Sequence, residues 1–303
     1  KDSKKNFLMI KKKYLDFIKK QEILGEPFHD KKGQLNDFYL PICKNIVNDK
    51  SKSKVMIIGL TGGQGSGKST ITEILKLILR IKYNLKTVSF SIDDFYKTLE
   101  ERKKMSKKKH NLFLTRGVPG THSTKLLKNI FKKLLSKQFK PVLIPKFDKS
   151  SDDRMPKKKW SKINNKPDII IFEGWCVGSR SQSQKNLKKP INTLEKLYDR
   201  NNIWRRTVNA ELKNNYKKIF NLIDKLIFLK VPNFKYVFKW RLLQEKKLKL
   251  SSKGKKIMSK NQIKNFIMYY ERITRQMLID LKTGADVVIN LDKKHRLKSI
   301  KFN

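Results

Sequence analysis

The chain has 303 residues, which is enough for one large or two modest domains with a well-buried core. Its formal net charge is +47, far above that of an ordinary enzyme. Cys43 and Cys176 lack the spacing of a disulfide framework or a zinc site, which favours a reducing, cytoplasmic compartment. No apolar stretch approaches the ~20 residues that a membrane-spanning helix needs, so no such helix is predicted.

The high positive charge has two explanations. A dense field of lysine and arginine attracts polyanions such as nucleic acid or an anionic membrane surface. Alternatively, coding bias enriches lysine throughout the chain, and the side chains simply occupy solvated faces. The basic runs, such as 103–104, 107–109 and 157–159, are scattered and lack interleaved aromatic residues. We therefore expect neither a nucleic-acid partner nor a membrane partner.

The first 52 residues are predicted to form a helical extension. Two helical patterns lie within residues 7–48 and are separated by the breaker-rich sequence Gly25-Glu26-Pro27. A polar stretch at 48–53 leads from them into the first predicted strand. We predict one α/β domain over the remaining residues, 53–303.

A glycine-rich loop is the strongest chemical signal in the chain. The sequence GGQGSGKS occupies residues 62–69, after the apolar run 55–60 and before a helical pattern over 71–78. This context is that of a P-loop, in which backbone N–H groups and the helix N-terminus cradle phosphates. Lys68 would reach the β- and γ-phosphates and Ser69 would bind Mg²⁺, so ATP and Mg²⁺ are the predicted cofactors. The predicted nucleotide-binding residues are Gly62, Gly63, Gln64, Gly65, Ser66, Gly67, Lys68, Ser69 and Thr70.

Apolar runs that alternate with helical patterns continue along the chain. After the first strand we predict strands at 87–92, 142–144, 168–172, 226–231 and 287–289. Helical patterns separate most of them, the clearest at 126–135. Alternation of this kind predicts a P-loop NTPase fold: a doubly wound, mainly parallel sheet with helices on both faces.

Acidic residues follow three of the predicted strands. Asp93 and Asp94 come after the second strand, Asp148 after the third and Glu173 after the fourth. Ligands bind at the carboxyl ends of parallel strands, and phosphoryl transfer uses a carboxylate there to orient and deprotonate the acceptor hydroxyl. The Asp93-Asp94 pair also fits a helix N-cap, and Glu173 also fits an ordinary salt bridge.

Several ordered motifs together resemble those of the D-glycerate 3-kinase family of plants, cyanobacteria and fungi. The motifs are SIDDFY at 91–96, RGVPGTH at 116–122, PKFDKS at 145–150, DR at 153–154, FEGW at 172–175 and WRLLQE at 240–245. The resemblance covers residues 55–295 and places the family within the uridine kinase, pantothenate kinase and phosphoribulokinase group. The RGVPGTH and EGW elements indicate the glycerate branch. Ser123 stands where the family has an acidic residue.

The resemblance implies an enzyme that transfers phosphate from ATP to D-glycerate, giving 3-phosphoglycerate. It implies that Asp93 is the general base and that Ser69 and Glu173 hold Mg²⁺ directly or through water. The loop 116–122 would contact the acceptor. The predicted catalytic residues are therefore Lys68, Asp93 and Arg241, and the predicted metal residues are Ser69 and Glu173.

A small carboxylate with hydroxyl groups needs cationic donors and hydrogen-bonding partners. Arg116, Lys146 and Arg154 are the candidate cations, although each also fits a surface charge in so basic a chain. His122 would bond a substrate hydroxyl or cap local backbone. The predicted substrate-binding residues are Asp93, Tyr96, Arg116, His122, Lys146, Asp148 and Arg154.

Two further interpretations stay open at this point. Arg241 would approach the transferring phosphate from a lid, or would form an ordinary helix ion pair with Glu245. Trp175, Trp240, Tyr269 and Tyr270 are expected to be packing residues.

Alternative functions are a kinase of another small acceptor, a nucleotide-dependent nucleic-acid-binding protein and an inactive ATP-binding module. The last is disfavoured because Lys68, Ser69, Asp93 and Glu173 are all present. The sequence does not predict the oligomeric state.

Overall fold

A computed structural model describes residues 2–22, 28–251 and 258–303. Its strands are β1 (Met56–Gly62), β2 (Thr87–Ser91), β3 (Val142–Ile144), β4 (Phe147–Asp148), β5 (Asp153–Arg154), β6 (Ser161–Ile163), β7 (Ile169–Gly174), β8 (Lys225–Lys230), β9 (Val287–Leu291) and β10 (Leu297–Phe302). Six of them form the central sheet, in the order β10-β9-β8-β1-β7-β2. Neighbours are parallel from β9 to β2, and β10 is antiparallel to β9 at one edge.

Helices surround this sheet. They are α1 (Asp2–Glu22), α2 (Lys31–Gln34), α3 (Leu40–Asp49), α4 (Lys68–Tyr83), α5 (Leu99–Lys108), α6 (Thr124–Leu134), α7 (Gln184–Lys188), α8 (Thr193–Tyr198), α9 (Ile203–Glu211), α10 (Lys217–Phe220), α11 (Phe234–Ser251) and α12 (Lys260–Gly284). π-Helical turns at Leu35–Tyr39 and Leu212–Tyr216 join neighbouring helices. Within the described ranges, none of the helices is both long and apolar enough to cross a bilayer.

The sheet is buried on both faces, as the apolar strands predict. Alternate residues of β1 point in opposite directions. Ile57 belongs to one apolar cluster with Phe90 and Phe131, whereas Ile58 belongs to another with Ile74. The predicted mainly parallel P-loop fold with helices on both faces is therefore confirmed.

The N-terminal helices belong to the second of these clusters. Ile10 and Tyr14 of α1 and Ile42 of α3 are buried in the same core as Ile74 of α4. The predicted breaker at 25–27 lies outside the described residues. The boundary between residues 52 and 53 stays a prediction, but the two sides of it share one core.

One predicted strand lies outside the central sheet. β3 pairs antiparallel with β6, and β4 pairs antiparallel with β5. The interpretation of Asp148 as the end of a parallel strand is therefore wrong: the residue reaches its position through a hairpin. A run of three apolar residues shows strand character but does not identify the partner strand. The edge strand β10 was not predicted because lysines interrupt its apolar pattern.

Candidate active site

The loop between β1 and α4 requires glycine for two physical reasons. Gly65 and Gly67 adopt left-handed φ angles of 79° and 91°. A Cβ atom on Gly65 would also lie 2.8 Å from Cβ of Trp240, because α11 packs directly against the loop. Gly67 is the N-cap of α4, so the first free N–H groups and the positive end of the helix dipole face the same point.

Lys68 lies against this loop. Its Nζ donates hydrogen bonds to the carbonyl oxygens of Gly62 (2.9 Å) and Gly63 (3.0 Å). Burial lowers the pKa of Lys68, and the nearby carboxylate of Glu173 opposes that shift. The side chains of Gln64 and Ser66 have buried polar atoms without a hydrogen-bond partner among the described residues. Buried polar groups usually have partners, so these residues fit a phosphate-bearing ligand over the loop.

A carboxylate from β7 meets the start of α4. Ser69 Oγ donates to Glu173 Oε1 at 2.9 Å, and Thr72 Oγ1 donates to Glu173 Oε2 at 3.2 Å. Hydroxyl and carboxylate oxygens are ligands that Mg²⁺ accepts, with phosphate oxygens and water completing its shell. Among the residues that the structure describes, no group of three or more His, Cys, Asp or Glu could hold a metal ion. Ser69 and Glu173 are the pair whose chemistry fits Mg²⁺ beside a nucleotide.

Asp93 lies in the turn that follows β2. Its Oδ1 accepts a hydrogen bond from the Tyr96 hydroxyl at 3.0 Å, and its Oδ2 accepts one from Lys149 Nζ at 2.9 Å. Burial raises the pKa of Asp93, but the charge and hydrogen bond of Lys149, with the Tyr96 bond, lower it to about 2. The carboxylate is therefore ionised at neutral pH.

Its neighbour Asp94 has a different environment. Ser91 and Asp94 form a capping box around the turn Ile92–Phe95, and Lys146 Nζ lies 3.6 Å from Asp94 Oδ2. Burial raises the pKa of Asp94, despite Lys146 and the backbone donor of Ser91. The capping interpretation thus applies to Asp94, and Asp93 is the carboxylate left to bind a ligand.

We predict that Lys149→Met changes the pH profile of the enzyme. Removing the ammonium leaves burial as the main influence, so the pKa of Asp93 should rise from about 2. The general-base role predicted for Asp93 needs the ionised carboxylate, so the acid limb of kcat/KM should move to higher pH. Steady-state rates from pH 4 upward, with melting curves at each pH, measure the shift. Superimposable profiles of the variant and the wild type would contradict the assignment of this carboxylate.

Tyr96 connects Asp93 to a buried histidine. Its ring stacks on His122 with centroids 4.4 Å apart. His122 Nδ1 lies 2.7 Å from the hydroxyl of Tyr216, which accepts a hydrogen bond from the Gly120 N–H at 2.9 Å. The Tyr216 hydroxyl can therefore donate its own hydrogen to Nδ1, a tautomer that leaves the proton on Nε2. Burial lowers the pKa of His122 to about 3, so the ring is neutral, and its buried Nε2 has no partner in the described residues.

Two of the predicted cations are arginines with different partners. Arg154 Nη2 donates to the Tyr96 carbonyl oxygen at 2.7 Å, while its buried Nε has no partner among the described residues. Arg116 forms an ion pair with Asp152 and lies over the ring of Phe147. Tyr96 thus joins Asp93, His122 and Arg154 into one cluster of complementary polar groups.

Asp148 and Arg241, which were also predicted to be site residues, have partners close to them in the sequence. Asp148 accepts hydrogen bonds from the backbone and hydroxyl of Ser150 and from the hydroxyl of Ser151, which lower its pKa to about 2. Arg241 forms the helix ion pair with Glu245 and also contacts the sulfur of Met258. Their catalytic or substrate-binding roles stay predictions.

The expected packing role of the aromatic residues is confirmed for Trp175, Trp240 and Tyr270, which are buried. Trp175 Nε1 donates to the Gly117 carbonyl and Tyr270 OH to the Arg116 carbonyl, so both support the loop 116–122. Sequence reasoning missed Thr72, Lys149, Arg102, Asp152 and Tyr216. Thr72 is one helical turn after Ser69 and Lys149 lies inside the PKFDKS motif, so spacing and motif could have identified these two.

Together, the mainly parallel sheet, the glycine loop before α4 and the carboxylates at one sheet edge define a P-loop kinase. Residues 57–187 match the Phosphoribulokinase / Uridine kinase family. An uncharacterized kinase of Schizosaccharomyces pombe is 35% identical over 229 residues, which cover 73% of this chain and 80% of the relative. The chain belongs to the phosphoribulokinase/uridine kinase family.

Two glycerate kinases are among the similar proteins. The chloroplastic D-glycerate 3-kinase of Arabidopsis thaliana is 27% identical over 257 residues, which are 79% of this chain. The aligned part spans 53% of that plant protein, about half its length. A D-glycerate 3-kinase structure from Cryptococcus neoformans var. grubii has a TM-score of 0.74 and 25% identity, covering 88% of this chain and 97% of that one.

Proposed function

We propose that the protein is an ATP- and Mg²⁺-dependent kinase that converts D-glycerate to 3-phosphoglycerate. The observation that carries the proposal is the cluster around Tyr96: its hydroxyl bonds Asp93, its ring stacks on His122 and its carbonyl accepts from Arg154. The similarity to two D-glycerate 3-kinases supports the choice of acceptor.

The chemistry of D-glycerate complements this cluster. It carries one carboxylate and two hydroxyl groups, and the cluster offers a cation, a neutral N–H donor and an ionised carboxylate. Arg154 Nε and His122 Nε2 are buried polar atoms without partners in the described residues, which is costly in the absence of a ligand. In the proposed complex Arg154 binds the substrate carboxylate, His122 binds the spectator hydroxyl and Asp93 accepts from the reacting hydroxyl.

Before the proton is transferred, the role of Asp93 is to orient the acceptor hydroxyl. A carboxyl group with a pKa of about 2 is a weak base, but it is a permanent hydrogen-bond acceptor at neutral pH. It aligns the 3-hydroxyl oxygen, and the hydroxyl proton passes to its carboxylate as that oxygen bonds to the γ-phosphorus of ATP. The bond from the γ-phosphorus to the β,γ-bridging oxygen breaks in the same transfer, and ADP leaves. Lys68 stabilises the negative charge on the transferring group. Mg²⁺, when held by Ser69 and Glu173, supplies further neutralisation of phosphate charge.

The competing acceptors can be separated by one assay. ADP release is coupled to a reporter reaction with D-glycerate, L-glycerate, uridine, pantothenate and ribulose 5-phosphate, at fixed ATP and Mg²⁺. D-Glycerate should have the highest kcat/KM, and NMR of the product should identify 3-phosphoglycerate. A higher kcat/KM for a nucleoside or for pantothenate would refute the proposed acceptor.

A cytoplasmic location stays a prediction, consistent with two free, buried cysteines.

We expect Arg154→Gln to weaken acceptor binding selectively. Losing a cationic partner of the substrate carboxylate is worth about 1.5–3 kcal/mol, so KM for D-glycerate should rise roughly 10- to 100-fold while KM for ATP stays constant. Arg200→Gln is the matched control, because Arg200 is an exposed arginine in the loop between α8 and α9, outside the candidate site. Equal changes in the two KM values of Arg154→Gln would indicate a structural role.

A further inference from the structure

Arg102 on α5 is the largest fully buried side chain of the described residues, with a side-chain exposure of 0%. A buried guanidinium is tolerated only where acceptors and a counter-charge satisfy it. Arg102 Nε donates to the Lys97 carbonyl (3.3 Å), Nη1 to the Leu114 carbonyl (2.7 Å) and Nη2 to the Asp152 carbonyl (2.5 Å). The counter-charge is the Asp152 carboxylate, whose Oδ2 lies 3.1 Å from Nη1.

The same carboxylate binds a second arginine. Asp152 Oδ1 accepts from Arg116 Nη1, so one carboxylate bridges two guanidinium groups. Both guanidinium groups also lie near the ring of Phe147, at 5.9 Å from Arg102 and 5.5 Å from Arg116. Asp152 has a φ of 56° in the turn between β4 and β5, and the bond from Arg102 to its carbonyl fixes that turn.

The three charges do not cancel. Two guanidinium groups and one carboxylate leave a net charge of +1. The two arginines differ in their access to solvent. The side chain of Arg102 is 0% exposed, whereas that of Arg116 is 23% exposed. The uncompensated positive charge is therefore presented at Arg116. Within the part of the chain that the structure describes, Arg116 Nε and Nη2 donate no hydrogen bond, so both remain available to a ligand.

We propose that Arg102 and Asp152 are positioning residues that hold Arg116 as an anchor for an acid group on the acceptor. This inference rests on the proposed function, and it deepens it by naming the residues that position the anchor for the acceptor's carboxylate. Arg154 in β5 and Asp152 in the turn between β4 and β5 belong to the same hairpin, so Arg116 and Arg154 would share the substrate carboxylate. Asp152 holds the guanidinium of Arg116 in one orientation. Arg116 therefore loses less conformational entropy when a substrate carboxylate binds it.

The chain offers a matched control for a carboxylate that bridges two arginines. Glu195 binds Arg205 (3.3 Å) and Arg272 (2.7 Å), all three are buried, and none contacts Asp93, Tyr96 or Arg116. Asp152→Asn should raise KM for D-glycerate about 10-fold or more, with kcat and KM for ATP nearly unchanged. Arg102→Lys retains the buried charge but cannot reach the same acceptors, so it should have the same effect. Glu195→Gln should lower the melting temperature without changing either KM.

A double-mutant cycle with Arg116→Gln separates positioning from general damage. Because Asp152 acts through Arg116, adding Asp152→Asn to Arg116→Gln should leave KM for D-glycerate within about 2-fold of the single Arg116→Gln variant. Additive effects, an unchanged KM in Asp152→Asn, or an equal rise in Glu195→Gln would overturn the proposal. If Asp152→Asn does not fold, the positioning role is tested with Arg102→Lys and with the double-mutant cycle of Arg102→Lys and Arg116→Gln.

The two proposals fail in different ways. If the wild type phosphorylates another carboxylate instead of D-glycerate, the proposed function is wrong, and the same variants measured with that carboxylate judge the positioning role. If the preferred acceptor has no acid group, both proposals are wrong. If D-glycerate is the acceptor and the variants leave KM for D-glycerate unchanged, only the positioning role is wrong.

Discussion

Replacement of Lys68 by alanine is expected to lower kcat by at least ~10³-fold. The ammonium is held at the mouth of the P-loop by the carbonyl oxygens of Gly62 and Gly63. A fixed positive charge at that point stabilises the charge of the transferring phosphate without reorganisation of solvent. Rapid-mix and steady-state assays of ADP release with D-glycerate measure the loss.

The fold should tolerate the same change. Burial lowers the pKa of Lys68, which means that the protein environment disfavours its charge in the absence of a ligand. The melting temperature without nucleotide should therefore be equal to or above that of the wild type, whereas stabilisation by ATP should be smaller. Lys76→Ala is the control on α4, since Lys76 only pairs with Glu73 at the surface. A Lys68→Ala enzyme with wild-type kcat would refute the P-loop assignment.

Periodicity predicted the central sheet because its strands have strong local signals. Residues 55–60 and 168–172 are nearly continuous apolar runs that end in glycine-containing motifs, and both are buried strands of the sheet. The short run 142–144 is also apolar, but it pairs with β6 in a separate two-stranded sheet. Strand partners depend on contacts between distant residues, which a local pattern does not contain.

The types of group in the candidate site were also predictable, but their pairing was not. Adjacent aspartates at 93 and 94 are equivalent in sequence, and only the capping box formed by Asp94 with Ser91 distinguishes them. In the sequence, Lys149 and Asp152 are two of several charged residues in one segment, and no local pattern sets them apart. Their significance arises because the hairpin brings them to Asp93 and Arg116, 56 and 36 residues away along the chain.

The mutations Asp93→Asn and Asp94→Asn are expected to have unequal effects. Asp93→Asn preserves the shape of the side chain and loses the ionised acceptor, so kcat should fall by about 10²- to 10⁴-fold while KM for ATP changes little. Lys149 and Tyr96 would then face an amide instead of a carboxylate. Asp94→Asn leaves an oxygen that can still accept from the Ser91 N–H, so its kcat should fall much less, and a lower melting temperature should be its main effect.

The comparison is informative because the two residues are adjacent in one turn and each carboxylate lies near a lysine. A general effect of removing negative charge from this turn would lower kcat in both variants alike. A specific role requires the loss in Asp93→Asn alone, with single-turnover rates reduced as strongly as steady-state rates because the chemical step is slowed. A larger loss of kcat in Asp94→Asn would exchange the two roles. Wild-type kcat in both variants would move the base to another residue and remove the basis for the proposed acceptor site around Tyr96.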